Sequence, residues 1–368
     1  MHRVRRLLVF TVMIASASIV PVPLHAAPRA GTLAWEDIVN LGFYRTDGSI
    51  AGIESGRIYA VINGNFTDSP SSNARVITRA YDARVGTILW TDTWDVSPWD
   101  DSAVGAVSGD IVLVAASTML NSTEPIATFS VRAYDGRSGT VLWSDECGPG
   151  VAFTTGARNV VALGDRFFVA GACQGSGFLS AYEAGTGAVA WETETFPFRF
   201  AGLFFPPMAA SGGQVFLLDS TPTGEWFVRS FDAGTGQVLW ASDSSFPIGP
   251  GSRMLAAGAV VVVTSQNVIR GFDSGSGETL WEVNFGDIST FPDLVSLRAN
   301  RLTVAVNDGV SVYDARTGAL LSEDPDTEPI PGIVKGNLRY VAGSRIPLEP
   351  PMGMREFFLQ AFRKGGPR

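Results

Sequence analysis

The stretch Ala133-Tyr134-Asp135-Gly136-Arg137-Ser138-Gly139-Thr140-Val141-Leu142-Trp143 decides the fold, because close copies of it recur along the whole chain. Five copies have a small residue, an aromatic residue, an acid, a short turn that ends in glycine, and a tryptophan four residues after that glycine. The acids of successive copies lie 41 to 53 residues apart. Because such a period is typical of propellers and solenoids, the repeat predicts a repetitive β architecture.

The constant spacing of the acid and the tryptophan in these copies has a structural explanation. An aspartate can accept hydrogen bonds from turn amides, and the glycine can take the positive φ of a bulged hairpin. The tryptophan can fill the gap between adjacent sheets while its indole N–H finds a carbonyl. A sixth copy, Val312–Ser322, has serine in place of the tryptophan. The residues predicted to be structural in this way are Asp82, Trp90, Asp135, Trp143, Glu183, Trp191, Asp232, Trp240, Asp273, Trp281 and Asp314.

A second pattern gives an independent count of blades. Each unit also contains a hairpin with a tight turn, and there are seven such turns: 55–56, 109–110, 164–165, 212–213, 257–258, 299–300 and 336–337. With six repeat copies, the seventh blade needs a third strand from Phe357–Arg363 and a fourth from Gly31–Trp35. We therefore predict an all-β, seven-bladed propeller of four-stranded antiparallel blades, closed by an N-terminal outer strand. Eight blades are the alternative.

The first residues have the features of an export signal. Arg3, Arg5 and Arg6 precede the apolar run Leu7–Val20, and Ala26 offers a small residue for cleavage. We predict a signal peptide at residues 1–26 and a single propeller domain at residues 27–368, in the periplasm or outside the cell. A retained membrane anchor is the alternative. No later stretch is apolar enough to span a bilayer. We also expect the protein to be a monomer.

Composition excludes several classes of function. Without residues 1–26 the chain has 24 basic and 36 acidic residues, a net charge of −12 that does not suit nucleic-acid binding. Both histidines, His2 and His25, lie in the predicted signal. Ser/His/Asp catalysis, Cys/His catalysis and the common zinc sites therefore lack their imidazole. Cys147 and Cys173, the two cysteines of the chain, are predicted to form a disulfide between neighbouring blades.

The pattern Ala-Tyr-Asp-x-x-x-Gly-x-x-x-Trp resembles the quinoprotein-like repeat, named for the dehydrogenases that use pyrroloquinoline quinone (PQQ). The resemblance covers nearly all of residues 30–368 and implies the propeller fold. Those dehydrogenases have an adjacent Cys-Cys pair, which this chain lacks, and no catalytic or cofactor residue can be transferred to it. The chain resembles the propeller lipoprotein of the outer-membrane barrel-assembly machine more than the dehydrogenases, although it lacks a lipid-anchor cysteine.

The irregular segments at the opposite end of the blades from the tight turns are the predicted binding surface. Candidate partner-binding residues are Trp94, Trp99, Phe198 and Phe200, since exposed aromatics beside acids suit a protein, a cell-envelope component or a carbohydrate. The alternative is that these rings cover the blade ends. A calcium ion held by Asp92, Asp95, Asp100 and Asp101 is a further hypothesis.

The sequence favours a noncatalytic binding or scaffold function, for which no cofactor and no metal are expected. The alternative is an enzyme that uses the central channel. Such an enzyme would be a PQQ-dependent dehydrogenase with calcium, or a hydrolase or lyase based on paired carboxylates. The sequence cannot place two acids at the required distance.

Overall fold

In a computed structural model of the chain, the described residues form 28 β-strands and no helix. The structure describes residues 32–39, 45–65, 74–96, 103–121, 126–151, 156–173, 176–195, 207–221, 225–243, 252–265, 267–286, 292–306, 309–324, 333–335, 337–345 and 356–363.

The strands form seven antiparallel sheets of four, and six of these sheets are contiguous in the chain. The first strand, β1 (Thr32–Val39), belongs to blade seven. Blade one consists of β2 (Arg45–Glu54), β3 (Arg57–Asn65), β4 (Ala74–Asp82) and β5 (Ile88–Val96). Blade two consists of β6 (Ala103–Ser108), β7 (Ile111–Asn121), β8 (Ile126–Asp135) and β9 (Val141–Val151). Blade three consists of β10 (Gly156–Leu163), β11 (Arg166–Cys173), β12 (Ser176–Glu183) and β13 (Val189–Thr195). Blade four consists of β14 (Met208–Ser211), β15 (Gln214–Ser220), β16 (Trp226–Asp232) and β17 (Val238–Ala241). Blade five consists of β18 (Arg253–Ala257), β19 (Val260–Ser265), β20 (Val268–Asp273) and β21 (Thr279–Asn284). Blade six consists of β22 (Asp293–Arg298), β23 (Arg301–Val306), β24 (Gly309–Asp314) and β25 (Leu320–Asp324). Blade seven adds β26 (Ile333–Lys335), β27 (Leu338–Arg345) and β28 (Glu356–Arg363).

Blade seven joins the two ends of the propeller. Its strand order is β26-β27-β28-β1, and β1 pairs antiparallel with β28 from Thr32 opposite Arg363 to Val39 opposite Phe357. The predicted seven-bladed ring with an N-terminal outer closing strand is therefore confirmed. The inner strands of neighbouring blades pack side by side, and apolar clusters fill the spaces between the sheets.

The repeat turn has the predicted chemistry. Oδ1 of Asp135 accepts hydrogen bonds from the amides of Arg137 at 3.0 Å and Ser138 at 2.7 Å, and Gly139 has a φ of +75°. A β-bulge interrupts the pairing of the third and fourth strands just before each turn, for example between Ala133 and Tyr134. In blade three the carboxylate of Glu183 instead accepts a hydrogen bond from Arg166 at 3.0 Å.

Each repeat tryptophan fastens its blade to the next one. Trp90 Nε1 donates to Gly136 O at 2.9 Å, and its ring lies so close to Gly139 that a Cβ there would stand 2.7 Å from the indole. The same two contacts recur with Trp35, Trp143, Trp191, Trp240 and Trp281. Two features therefore require glycine at this position: its φ is positive, and the tryptophan ring of the preceding blade leaves no space for a Cβ.

The serine of the sixth copy has a structural reason. Ser322 lies on β25, the outer strand of blade six, where the tryptophan would point toward the repeat turn of blade seven. In blade seven the third and fourth strands are β28 and β1, which are not consecutive in the chain, so no repeat turn joins them. The tryptophan is therefore missing at the one interface that lacks the turn on which it would dock.

The turn aspartates make stability depend on pH. Hydrogen bonds from turn amides and hydroxyls, chiefly those of the residue three positions later, hold the pKa of Asp135, Asp232, Asp273 and Asp314 below its usual range. A carboxylate with a depressed pKa stabilises the fold above its unfolded pKa, and this stabilisation is lost as the pH falls through the folded pKa. We therefore expect the free energy of unfolding to decline below about pH 4, the pKa of an unperturbed aspartate.

Urea unfolding between about pH 7 and pH 2.5 measures this decline, with Asp232→Asn as the matched variant. Asparagine keeps an acceptor oxygen for the amides of Gly234 and Thr235 but does not titrate. Its unfolding free energy should fall less steeply than that of the wild type. Equal slopes for the two proteins would contradict the assignment.

Candidate functional site

The propeller has two different faces, which we call the short-turn face and the long-loop face. The short-turn face carries the tight turns of the inner hairpins and the repeat turns, and the two kinds of turn hydrogen-bond to each other. Ala83 N donates to Gly56 O at 2.9 Å, and Ala184 N donates to Asp165 O at 2.8 Å. The long-loop face is the opposite end of the blades, where second strands connect to third strands and each blade connects to the next.

Of the four aromatic residues predicted to bind a partner, Trp94 lies in the described part of the chain. It stands near the long-loop end of β5 and is half-buried, and the guanidinium carbon of Arg132 lies 4.5 Å from its ring centroid. The ring also packs against the apolar cluster between blades one and two. Trp99, Phe198 and Phe200 lie outside the described residues. Partner binding by these four residues stays a prediction.

Asp92, from the hypothetical calcium cluster, takes part in a contact between blades. Its Oδ2 accepts hydrogen bonds from the Tyr134 hydroxyl at 2.9 Å and from Arg132 Nη1 at 3.2 Å. The side chains of the other three aspartates of that cluster, at positions 95, 100 and 101, fall outside the description. Within the described residues, no group of three or more Asp, Glu, His or Cys side chains could hold a metal ion.

This contact belongs to a second inter-blade pattern, which sequence reasoning missed. An acid two residues after the repeat tryptophan accepts a hydrogen bond from the repeat tyrosine of the next blade. The pattern includes Asp37 with Tyr81 at 2.7 Å and Asp145 with Tyr182 at 3.0 Å. Burial is the main cause that raises the pKa of these tyrosines, and the adjacent carboxylates raise it further. The hydroxyls therefore remain protonated donors.

A half-open pocket of about 280 Å³ lies between blades two and three. Its apolar side contains Phe129 and Phe178, whose rings meet edge to face with centroids 5.2 Å apart. Its other side is acidic, and its described lining contains no lysine or arginine. The acids that line it are Asp145, Glu146, Glu192 and Glu194. Such a pocket suits a group that combines positive charge with a flat or apolar surface.

The predicted disulfide is present and forms one wall of this pocket. Cys147 lies on β9 of blade two and Cys173 ends β11 of blade three, with Cα atoms 6.1 Å apart. Both side chains pack against the apolar cluster between these blades. A disulfide across a sequence separation of 26 residues contributes about 3 kcal/mol in the chain-entropy model. The bond therefore holds the two walls of the pocket at a fixed separation.

The inner strands, which surround the centre of the ring, contain few carboxylates. Asp47 and Glu54 lie on β2 and Asp293 lies on β22, while the other five inner strands have no acidic residue. Asp293 Oδ1 is 2.8 Å from Nε of Arg253, and Glu54 Oε2 is 3.7 Å from Nζ of Lys335. Of the three inner-strand acids, Asp293 and Glu54 are thus each close to a cation.

The outer strands have the opposite composition. Together the seven outer strands contain eleven acidic and no basic residues, and all these acids follow the position of the repeat tryptophan. We call this acidic band near the long-loop face the acidic outer rim. Its residues are Glu36, Asp37, Asp92, Asp95, Asp145, Glu146, Glu192, Glu194, Glu282, Glu323 and Asp324. The pocket between blades two and three is a concave part of this rim.

Several solved structures are similar to the chain at low sequence identity. A quinohemoprotein alcohol dehydrogenase from Pseudomonas putida HK5 is 13% identical with a TM-score of 0.49, covering 92% of this chain and 78% of that one. A europium-containing methanol dehydrogenase is 11% identical with a TM-score of 0.48, covering 87% and 80%. A quinohemoprotein alcohol dehydrogenase from Comamonas testosteroni is 12% identical with a TM-score of 0.48, covering 92% and 77%.

No curated protein matches the chain. Among the described residues, no helix is long and apolar enough to cross a membrane. A family model described as "Outer membrane protein assembly factor BamB" matches residues 127–344, which is more than half of the chain. The matched segment contains five of the six repeat copies, which start at residues 133, 181, 230, 271 and 312. The chain therefore belongs to the PQQ-type repeat propeller family whose model carries that description.

Proposed function

We propose that the protein is a noncatalytic binding module that holds a protein partner or another component of the cell envelope. The family description names an outer membrane protein assembly factor, which supports a protein or another cell-envelope component as the partner. The fold alone does not choose between binding and catalysis, because one propeller architecture serves both. The choice between binding and catalysis therefore depends on where the charged side chains of this chain lie.

The acidic outer rim is the observation that carries the proposal. The seven outer strands carry eleven acids and no basic residue, whereas the seven inner strands carry three acids. Three of the rim acids, Asp37, Asp92 and Glu282, are paired with arginines of neighbouring third strands. A surface with an excess of one charge steers a partner of opposite charge and fixes its orientation on the surface. A basic surface of another protein is the partner that this distribution favours.

We further propose that the protein works outside the cytoplasm. Residues 1–26 would act as a cleaved signal peptide and residues 27–368 would form the single propeller domain, in the periplasm or outside the cell. The Cys147–Cys173 disulfide agrees with an oxidising compartment. Mass spectrometry of the protein recovered from its native host tests the cleavage, and an intact N-terminus would contradict it.

Site-specific photo-crosslinking in the native host tests the binding function. A photoreactive residue placed at Glu36, Glu146 or Glu282 on the acidic outer rim should yield discrete crosslinked complexes with another protein. The same residue at the exposed short-turn positions Thr235 and Ser276 is the matched control and should yield none. Crosslinks from the control positions alone would move the binding surface to the other face.

The enzymatic alternative has its own test. Purified protein mixed with PQQ and Ca²⁺ is expected to show no saturable change in quinone absorbance and no dye-linked alcohol oxidation. Tight cofactor binding with turnover would replace the binding function by a dehydrogenase activity.

A further inference from the structure

The repeat places an arginine two positions before the repeat tyrosine at two consecutive blade interfaces. Between blades seven and one, Arg79 Nη1 lies 2.9 Å from Asp37 Oδ2. Between blades one and two, Arg132 Nη1 lies 3.2 Å from Asp92 Oδ2. In both cases the same oxygen also accepts the tyrosine hydroxyl. The acid, the tyrosine and the guanidinium therefore form one repeated polar unit.

At the interface between blades two and three, the acid and the tyrosine of this unit are present but the arginine is missing. Asp145 Oδ2 accepts the hydroxyl of Tyr182 at 3.0 Å, as its counterparts do. The arginine position is occupied by Ser180, whose hydroxyl donates to Glu192 Oε2 at 2.6 Å. Serine is too short to reach the acid across the interface. Ser180 is buried, whereas the two remaining members of the unit, Asp145 and Tyr182, line the open pocket.

The aromatic residue that covers the guanidinium is also missing at the interface between blades two and three. Four residues after the repeat tryptophan, blade one has Trp94, which covers the guanidinium of Arg132, whereas blade two has Cys147. The small cysteine leaves space, and its disulfide to Cys173 joins the blades where the arginine contact is missing. Phe129 and Phe178, which are 2% and 8% exposed, line the other side of the pocket.

We propose that the pocket between blades two and three is a receptor for an arginine side chain of a partner protein. The partner's guanidinium would take the place that Arg79 and Arg132 occupy at the neighbouring interfaces, with Asp145 as its principal acceptor. This inference rests on the proposed binding function and identifies the chemistry of the partner.

The lining explains why arginine fits better than other groups. The planar guanidinium can donate to two carboxylates at once and stack on an aromatic face, whereas the ammonium of lysine is a compact and strongly hydrated charge. Glu192 adds an acid where the filled interfaces have Thr91 and Ser144, and Glu194 adds a second acid, whose counterpart between blades one and two is Glu146. Both glutamates are exposed and line the pocket. The excess negative charge therefore favours an incoming cation over water.

Binding of three peptides to the intact protein tests the proposal by nuclear magnetic resonance titration. Acetyl-Gly-Arg-Gly-amide should bind with one-to-one stoichiometry, and the lysine peptide should bind several-fold more weakly. The citrulline peptide has the same shape without the charge and should bind at least about tenfold more weakly, because charge-assisted hydrogen bonds are lost. Equal binding of the arginine and citrulline peptides, or no saturable binding of the arginine peptide, would overturn the proposal.

Ser180→Arg supplies the missing guanidinium from within the chain and should abolish binding of the arginine peptide. The repeat accommodates arginine at this position in blades one and two, so the variant is expected to fold. Ser180→Ala leaves the pocket open and should retain binding. A folded Ser180→Arg variant that binds the peptide like the wild type would contradict the assignment.

Glu194→Gln provides a second test that does not depend on the folding of Ser180→Arg. It should weaken binding of the arginine peptide several-fold, whereas Glu278→Gln removes the same charge on the short-turn face and should have no effect. Equal affinities of these two variants would argue against the pocket.

The same variants separate this inference from the proposed function. If photo-crosslinks at Glu36 and Glu282 persist in Ser180→Arg and the arginine peptide does not bind the wild type, the binding function stands and the arginine receptor fails. If the peptide binds but no rim position crosslinks to a protein in the native host, the pocket stands and the proposed function fails.

Discussion

Replacing Trp90 by alanine should destabilise the protein by about 3–5 kcal/mol, the range for removing a large aromatic side chain from a core. The indole is 9% exposed and stacks on Tyr134 with centroids 5.8 Å apart. Its removal leaves a cavity beside Gly139 and removes one of the two donors to the carbonyl of Gly136, which keeps the hydroxyl of Tyr59 at 3.1 Å. Chemical unfolding monitored by fluorescence measures the loss.

Leu89→Ala is the matched control for Trp90→Ala. Leu89 precedes the tryptophan on the same outer strand, but it is 45% exposed. Its replacement should change the unfolding free energy by no more than about 0.5 kcal/mol, as for most surface positions. Similar losses for the two variants would mean that the tryptophan does not hold blades one and two together.

Deletion of residues 32–39 should have a still larger effect, because it removes the whole of β1. The strand contributes Trp35, whose ring stacks on Tyr81 with centroids 6.1 Å apart, and Asp37, which accepts from Arg79 and Tyr81. Loss of a half-buried tryptophan, of charged hydrogen bonds and of a whole strand amounts to about 5 kcal/mol. This loss is comparable to the whole stability of many domains, about 5–15 kcal/mol.

A peptide with the sequence of residues 32–39 gives the control for the deletion. Added to the shortened protein, it should restore part of the melting temperature in a concentration-dependent way, since binding to the folded state stabilises it. A peptide with Trp35 replaced by alanine should restore much less. A shortened protein with the melting temperature of the full chain would show that β1 is dispensable.

The sequence predicts the fold well because the propeller repeats its decisive contacts within short segments. The turn acid, the bulge glycine and the tryptophan stand within eleven residues of one another, so their spacing is visible in each copy. The seventh blade was also predictable, because Phe357–Arg363 and Gly31–Trp35 each match one half of the repeat. The reason for Ser322 became clear only from the structure, where blade seven has no repeat turn to receive a tryptophan.

The candidate site was harder to predict, because its contacts join residues of neighbouring copies. Asp145 and Tyr182 are separated by 37 residues, and Cys147 faces Cys173 of the next blade. An alignment of the repeats could have shown the change from Arg79 and Arg132 to Ser180, but it would not have shown that this change opens a pocket. The partner role of Trp99, Phe198 and Phe200 remains a prediction, since no repeat fixes their positions.

The way blade seven is built also has a consequence for folding. Blades one to six each consist of consecutive strands and can form as soon as their own residues are available, but β1 must wait for β28 with all six other blades in between. The entropic cost of closing such a long loop grows only slowly with its length, so closure is delayed rather than prevented. Until then, the last blade exposes an unpaired strand edge that another chain could occupy. The joining of β1 to β28 is therefore the step that removes this exposed edge.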